Sequence, residues 1–271
     1  MHFELTSETN FDFIFIFSDS FTLKMSPKSV LITGCNRGIG LELVKQFLAL
    51  GSPPQHIFAT FRTMSDELKK LGDENKNVYL LKMDITDIPS YHSIVKQVEE
   101  VVGEAGLNLL INNAGLLPTN RDLASVTPED MRQAFEVNCV APLFFTKEMF
   151  PLIEKAGKAS GETGRSLSKA GVVQMSTAVA SIAENTGGGL YAYRCSKSAL
   201  NMSMKSMSQD LKDTGVLILA MHPGWVLTDM GGPNALITTE VCCKTMLETF
   251  ESLSDKDHGT FLRYNNTPIP W

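Results

Sequence analysis

The chain of 271 residues lacks the features that define several protein classes. Its five cysteines form no Cys-x-x-Cys pair and its five histidines show no His-Glu-x-x-His spacing, which argues against a zinc site or a disulfide framework. It has no dense run of Lys or Arg and carries a net charge of −6, so a nucleic-acid surface lacks its electrostatic basis. Hydrophobic residues at 43% and charged residues at 20% are ordinary for a globular protein. We therefore expect small-molecule chemistry without a metal and without a nucleic-acid partner.

Long apolar runs are missing as well. The most apolar stretch, residues 11–17, is interrupted by Asp12 and is far shorter than the roughly 20 residues that span a bilayer. A secretory signal needs a basic residue ahead of its apolar core, and no Lys or Arg precedes Lys24. An odd number of cysteines favours a reducing compartment. We expect a cytoplasmic protein without a membrane partner, in which residues 1–25 form a dispensable extension and residues 26–271 form the working domain.

From residue 29 onward, short apolar runs alternate with segments long enough for amphipathic helices. Leu41, Val44 and Phe47 show helical spacing after the first run. Crossovers of this length require parallel strands, and ligands of such sheets bind beyond the carboxyl ends of the strands. The pattern predicts an α/β fold, a single-domain doubly wound parallel sheet (Rossmann fold), with strands at residues 30–32, 57–61, 78–82, 109–112, 171–175 and 216–221.

A glycine-rich turn lies between the first predicted strand and the first helix. Its glycines, Gly34, Gly38 and Gly40, permit a tight turn and a close backbone approach to a pyrophosphate, which free N–H groups at the helix start would bind. Such a turn alone is weak evidence for a dinucleotide site, but its place between strand and helix strengthens the interpretation.

The chain resembles the short-chain dehydrogenase/reductase family at this glycine spacing and at four further motifs, in the family's order. Residues 112–115 read Asn-Asn-Ala-Gly, and Asp84 matches the acid that contacts adenine in the family. Tyr193 and Lys197 match the family's Tyr-x-x-x-Lys pair, and residues 223–228 match its Pro-Gly-x-x-x-Thr motif. Residues 191–194, 222–226 and 264–271 look more narrowly like the Sniffer-type carbonyl reductases.

The resemblance implies NADPH/NADP+ as cofactor, with Thr228 at the nicotinamide carboxamide. The cofactor-binding residues that it implies are Gly34, Asn36, Arg37, Gly38, Ile39, Gly40, Arg62, Asp84, Ile85, Asn113, Ala114, Gly115, Tyr193, Lys197, Pro223, Gly224, Val226 and Thr228. The preference for NADPH rests on the second strand, which ends without the carboxylate that would accept bonds from a ribose 2′-hydroxyl. Arg62 follows this strand, and with Arg37 it would hold a 2′-phosphate.

The catalytic pair is expected on one helix face, because Tyr193 and Lys197 are four residues apart. We expect the Lys197 ammonium and the cationic nicotinamide ring to lower the pKa of Tyr193. The family's substrate-binding serine is replaced here by Thr177, and Ser176 or Ser181 stays open as an alternative. By resemblance, Lys197 also bonds the nicotinamide ribose and Asn138 holds a water of the proton relay.

The resulting hypothesis is hydride transfer from NADPH to a small carbonyl substrate, an aldehyde, ketone or quinone, with Tyr193 as general acid and an alcohol as product. Two alternatives stay open. One is an NADP-linked alcohol or steroid dehydrogenase working in the opposite direction, and the other is a catalytically impaired NADP-binding regulatory protein. The family resemblance also implies a possible homodimer through the helices that carry Asn138 and Tyr193.

Because every motif starts at Val30 or later, a chain that begins at Met25 should fold and turn over like the full chain. The two forms are compared by melting temperature and by the rate of carbonyl reduction. A substantially lower melting temperature or a loss of reduction in the shorter form would show that residues 1–24 are structural.

Overall fold

The structure, a computed structural model, describes residues 27–271, so the predicted extension at residues 1–25 lies outside the described residues. The described strands are β1 Ser29–Ile32, β2 His56–Phe61, β3 Val78–Lys82, β4 Leu109–Asn112, β5 Gly171–Met175, β6 Leu217–His222 and β7 Phe261–Arg263. These seven strands form one parallel sheet in the order β3-β2-β1-β4-β5-β6-β7. The predicted doubly wound parallel sheet is therefore confirmed.

Helices cover both faces of this sheet. They are α1 Gly38–Leu48, α2 Asp66–Glu74, α3 Tyr91–Val102, α4 Pro128–Phe135, α5 Ala141–Ala159, α6 Tyr191–Asp210 and α7 Thr239–Ser252. On one face, Phe47 of α1 and Phe250 of α7 pack into a buried cluster with alternate strand residues. On the other face, Val98 of α3, Phe145 of α5 and Met204 of α6 form a second cluster. The strands are buried on both sides, which explains why they appear in the sequence as continuous apolar runs.

The sequence prediction missed one strand and shifted others slightly. β7 has only three residues, and β6 is the one described strand with which it pairs, starting with Phe261 beside Ala220. A run this short shows no usable period in the sequence. β6 begins and ends one residue later than predicted, at Leu217 and His222, and β1 and β2 each begin one residue earlier.

The order of the strands reverses between β1 and β4, which are neighbours in the sheet although they are far apart in the chain. The crossovers leave this point in opposite directions, so a crevice opens beyond the carboxyl ends of the two strands.

Within residues 27–271, no helix is long and apolar enough to cross a bilayer. The same residues contain no group of three or more His, Cys, Asp or Glu side chains that could hold a metal ion.

Candidate active site

A cavity of about 610 Å³ lies at this crevice. It is lined by most of the residues that the sequence motifs single out: Gly34, Asn36, Arg37, Gly38, Ile39, Arg62, Asp84, Ile85, Asn113, Ala114, Gly115, Ser176, Tyr193, Lys197, Pro223 and Thr228. The structure thus brings the glycine turn, the ends of β2 to β5 and the start of α6 to one place. Such a volume is typical of a small-molecule or cofactor site.

The backbone of the glycine turn allows a ligand to approach it closely. Gly34 and Gly38 have φ angles of 72° and 58°, in the left-handed region that favours glycine. At Gly40, a Cβ atom would lie 2.3 Å from the Gly34 carbonyl oxygen and 2.6 Å from Nδ2 of Asn113. Gly40 therefore packs beneath the turn, outside the cavity lining.

The start of α1 fits a phosphate group. Its N-cap residue Arg37 makes no capping bond through its side chain, and the first turn contains no acidic residue. Gly38 and Ile39 of this first turn line the cavity. Uncapped N–H groups and the positive end of the helix dipole attract an anion, so the residues present suit the pyrophosphate of a dinucleotide.

Thr33 fixes the segment after β4, a role that the sequence reasoning missed. Its hydroxyl accepts hydrogen bonds from the backbone N–H groups of Asn113 at 2.9 Å and Ala114 at 3.0 Å. The Asn113 side chain donates to the carbonyl of Thr33 at 2.8 Å and to that of Gly34 at 3.3 Å. The position of Thr33 at the end of the first predicted strand was the only signal in the sequence.

Tyr193 and Lys197 project from the first turns of α6 toward the ends of β4 and β5. Lys197 is 4% exposed, and its Nζ donates to the carbonyl of Met175 at 2.7 Å. A Cβ atom on Gly115 would lie 3.7 Å from this Nζ, so the segment after β4 packs directly on the lysine. The Tyr193 side chain lies next to that of Thr177, which follows β5.

Burial dominates the protonation equilibria of this pair. It raises the pKa of Tyr193 to about 12, although the neighbouring Thr177 hydroxyl acts in the opposite direction. It lowers the pKa of Lys197 to about 8, with a smaller upward effect from Cys139. The expectation that Lys197 lowers the pKa of Tyr193 is thus wrong for the protein alone, because the cost of burying a phenolate is larger.

The two alternative serines have other partners. The Ser176 hydroxyl donates to Oδ1 of Asn201 at 2.6 Å and is buried. The Ser181 hydroxyl accepts from the backbone N–H of Glu184 at 3.1 Å. Of the three hydroxyls, that of Thr177 is the one in contact with Tyr193.

Asn138 lies behind the cavity, in a π-helical turn between α4 and α5 at Glu136–Val140. Its Oδ1 accepts from the N–H of Leu116 at 2.8 Å, and its Nδ2 donates to the carbonyl of Leu116 at 2.8 Å and to the Ser196 hydroxyl at 3.0 Å. The side chain thus connects the segment after β4 to α6. The relay water that the family resemblance implies for Asn138 stays a prediction.

The predicted arginines have different surroundings. Arg37 forms an ion pair with Asp229, which follows Thr228, and both side chains are exposed. Arg62 lines the cavity and has no ion pair with another residue in the described part of the chain. The bonds from Thr86 lower the pKa of Asp84, with a smaller effect from Arg62.

The segment after β6 forms the opposite wall. The Thr228 hydroxyl accepts from the N–H of Gly231 at 3.0 Å, and its methyl group would lie 3.4 Å from a Cβ on Gly38. Gly224 has a φ of 90° and packs against Tyr264 and Ile237, while Val226 is buried in the core, so neither residue lines the cavity.

The comparisons with known proteins agree with this geometry. A model of the short chain dehydrogenase family matches residues 28–236, and the chain belongs to this family.

The narrower resemblance, to Sniffer-type carbonyl reductases, is confirmed as well. The solved structure of carbonyl reductase Sniffer of D. melanogaster is 39% identical, covers 90% of this chain and 100% of its own, and superposes with a TM-score of 0.89. The NADPH-bound carbonyl reductase from chicken fatty liver is 36% identical over 93% of this chain and 97% of its own, with a TM-score of 0.88. C-signal of Myxococcus xanthus is 39% identical over 165 residues, which are 61% of this chain and 93% of C-signal.

The buried Lys197 generates a testable pH dependence. Its pKa in the folded state is below that of an unfolded lysine, so above pH 8 the folded state binds fewer protons and the free energy of unfolding rises with pH. Relative to Lys197→Met, the wild type should gain roughly 2 kcal/mol between pH 7 and pH 9.5, a window in which Tyr193 keeps its proton. Urea unfolding at several pH values measures this difference. Parallel pH profiles of the two proteins would contradict the assignment.

Proposed function

We propose that this short-chain dehydrogenase is an NADPH-dependent reductase that converts an aldehyde, ketone or quinone into an alcohol, with Tyr193 as the general acid. The observation that carries the proposal is that Tyr193 and Lys197 line the same crevice as the uncapped start of α1, with the Thr177 side chain next to the Tyr193 hydroxyl. The likeness to carbonyl reductases supports it, and one of these relatives was solved with NADPH bound. When bound, NADPH would supply the hydride.

The proton would come from Tyr193. With a pKa of about 12, its hydroxyl holds a proton at neutral pH, as a donor in a reduction must. A base for the reverse reaction would have to be a phenolate, which burial disfavours. Lys197, which Met175 and the segment at Gly115 hold in place, would carry a positive charge at neutral pH and stabilise the negative charge that develops as the proton leaves.

Thr177 would orient the substrate carbonyl. Its hydroxyl is next to that of Tyr193, so a carbonyl oxygen placed between them would meet two donors. The Ser176 hydroxyl has already given its single hydrogen to Asn201 at 2.6 Å, which leaves it no donor for a substrate. We therefore assign the carbonyl contact to Thr177.

NADPH selectivity would depend mainly on Arg62. Arg62 lines the cavity at the end of β2, where an NAD-binding site would carry a carboxylate. Arg37 contributes less, because its guanidinium is already paired with Asp229.

We further propose residues 26–271 as the catalytic domain. The cytoplasmic location and the homodimer stay predictions from the sequence.

The proposal is tested by NADPH oxidation with purified protein across a panel of aldehydes, ketones and quinones. At least one class should be reduced, and Tyr193→Phe should lower kcat by roughly 10²- to 10⁴-fold while NADPH still binds, because only the proton donor is lost. Tyr79→Phe serves as a control, since Tyr79 contacts His56 on an outer strand pair away from the cavity. No turnover with any substrate, or full turnover by Tyr193→Phe, would overturn the mechanism.

The Thr177 assignment has its own test. Thr177→Val keeps the shape but removes the hydroxyl, and should lose roughly ten- to a hundredfold in kcat/KM for the carbonyl, whereas Thr177→Ser should stay active. Ser176→Ala should leave most of the activity. If Ser176→Ala is the crippling change instead, the carbonyl contact belongs to Ser176.

Coenzyme selectivity is measured as kcat/KM with NADPH and with NADH. A charged hydrogen bond contributes roughly 1.5–3 kcal/mol, so Arg62→Ala should lower the efficiency with NADPH about tenfold or more and leave NADH nearly unaffected. Arg37→Ala should have a smaller effect, and the double variant the largest. Equal efficiencies of the wild type with both coenzymes would refute the selectivity, as would a double variant without a loss specific to NADPH.

A further inference from the structure

Arg194, the residue after Tyr193, connects two loops next to the predicted catalytic residues. Its Nη1 donates to the carbonyl of Val179 at 2.8 Å. Its Nε donates to the carbonyls of Gly188 and Gly189, at 3.1 Å each. One guanidinium therefore joins the turn that follows β5 to the loop that precedes α6.

The loop before α6 has an unusual backbone that presents these carbonyls. Gly188, Gly189 and Leu190 are three consecutive residues with φ values of 62°, 62° and 52°. A leucine rarely adopts such an angle, so the surroundings must hold it there. The conformation turns the carbonyls of Gly188 and Gly189 to the same side, where a single N–H reaches both. The N–H of Leu190 donates to the carbonyl of Arg121 at 2.7 Å, which adds the loop after β4 to the same assembly.

Only an arginine suits this position. Its guanidinium offers five N–H donors in a rigid plane and keeps its charge at every pH at which the protein is folded. A lysine has a single nitrogen on a flexible stem and does not reach three carbonyls on two loops with the same geometry. The bonds of Arg194 go to backbone oxygens, so they hold the loops whatever side chains these loops carry.

The far end of the same loop is held by different contacts. The N–H of Ala183 donates to the carbonyl of Trp271 at 3.1 Å, and Arg263 donates to both carboxylate oxygens of Glu184 at 2.9 Å. Losing Arg194 would therefore loosen the turn at Gly188 and Gly189 and the turn at Val179, and leave residues 183 and 184 in place.

We propose that Arg194 is a positioning residue that sets the shape of the carbonyl-binding side of the site. Val179 lies two residues after Thr177, and the N–H of Val179 contacts the Thr177 hydroxyl at 3.4 Å. Through Val179, Arg194 holds Thr177 against Tyr193, and through Gly188 and Gly189 it holds the loop beyond. This inference rests on the proposed function, and it assigns to Arg194 the fit of the carbonyl substrate and no part in cofactor binding.

The test compares wild type with Arg194→Met and Arg194→Lys. Both variants should raise KM for a bulky ketone about tenfold or more, raise it less for a small aldehyde, and change the Kd for NADPH less than twofold. Hydrogen exchange should quicken at the Leu190 amide and stay unchanged at the Ala183 amide. Arg165→Met is the matched control, because Arg165 bridges Asp255 and the Lys212 carbonyl away from the cavity. Arg165→Met should leave both KM values as they are.

Several outcomes would overturn the inference. Unchanged substrate selectivity in Arg194→Lys would do so, as would equal losses for NADPH and for both carbonyls, which would indicate general destabilisation. If Arg194→Met does not fold, Arg194→Lys decides alone. If the wild type reduces no carbonyl, the proposed function fails, and the exchange at Leu190 relative to Ala183 still decides whether Arg194 holds the loop.

Discussion

The side-chain amide of Asn113 holds the carboxyl edge of the sheet together at the point where the strand order reverses. It donates to the carbonyls of Thr33 and Gly34, and it reaches them because Gly40 has no side chain to stand in the way. The glycine turn and the segment after β4 are thereby fixed to each other. Gly115 then lies against Asn138 and Lys197, so the cofactor side and the catalytic side of the cavity share one rigid wall.

The pKa values of the two predicted catalytic side chains are shifted because both side chains are buried beside these segments. Lys197 and Tyr193 are both shifted toward their neutral forms, in opposite pKa directions. Burial of the Lys197 side chain is tolerated because the carbonyl of Met175 accepts a hydrogen bond from its Nζ. This bond also connects α6 to β5, the strand that leads to Thr177. The same contact thus orients the lysine and holds the end of β5 next to α6, where Thr177 and Tyr193 lie. A bound nucleotide with a cationic ring would favour the phenolate form of Tyr193. Binding of such a nucleotide would therefore lower the pKa of Tyr193.

Much of this arrangement was predictable from the sequence, because buried parallel strands give continuous apolar runs and the motif residues follow directly after them. Six strands were predicted within a residue of their bounds, whereas β7 is too short to show a period. In the protein without cofactor the pKa of Tyr193 is raised and not lowered, because burial of a hydroxyl depends on packing among segments distant in the chain. The pairing of Arg37 with Asp229 joins residues 192 positions apart, and the acceptors of Arg194 are backbone carbonyls, which no side-chain pattern reveals.

The proposed reduction requires that the crevice hold a nicotinamide cofactor in one orientation against a carbonyl carbon. The most direct measurement uses NADPH deuterated at C4 in each of its two epimers, with mass spectrometry of the alcohol product. A fixed orientation predicts that one epimer transfers deuterium to the carbinol carbon and the other transfers hydrogen alone. Equal labelling from both epimers, or a product without carbon-bound deuterium from either, would contradict the account.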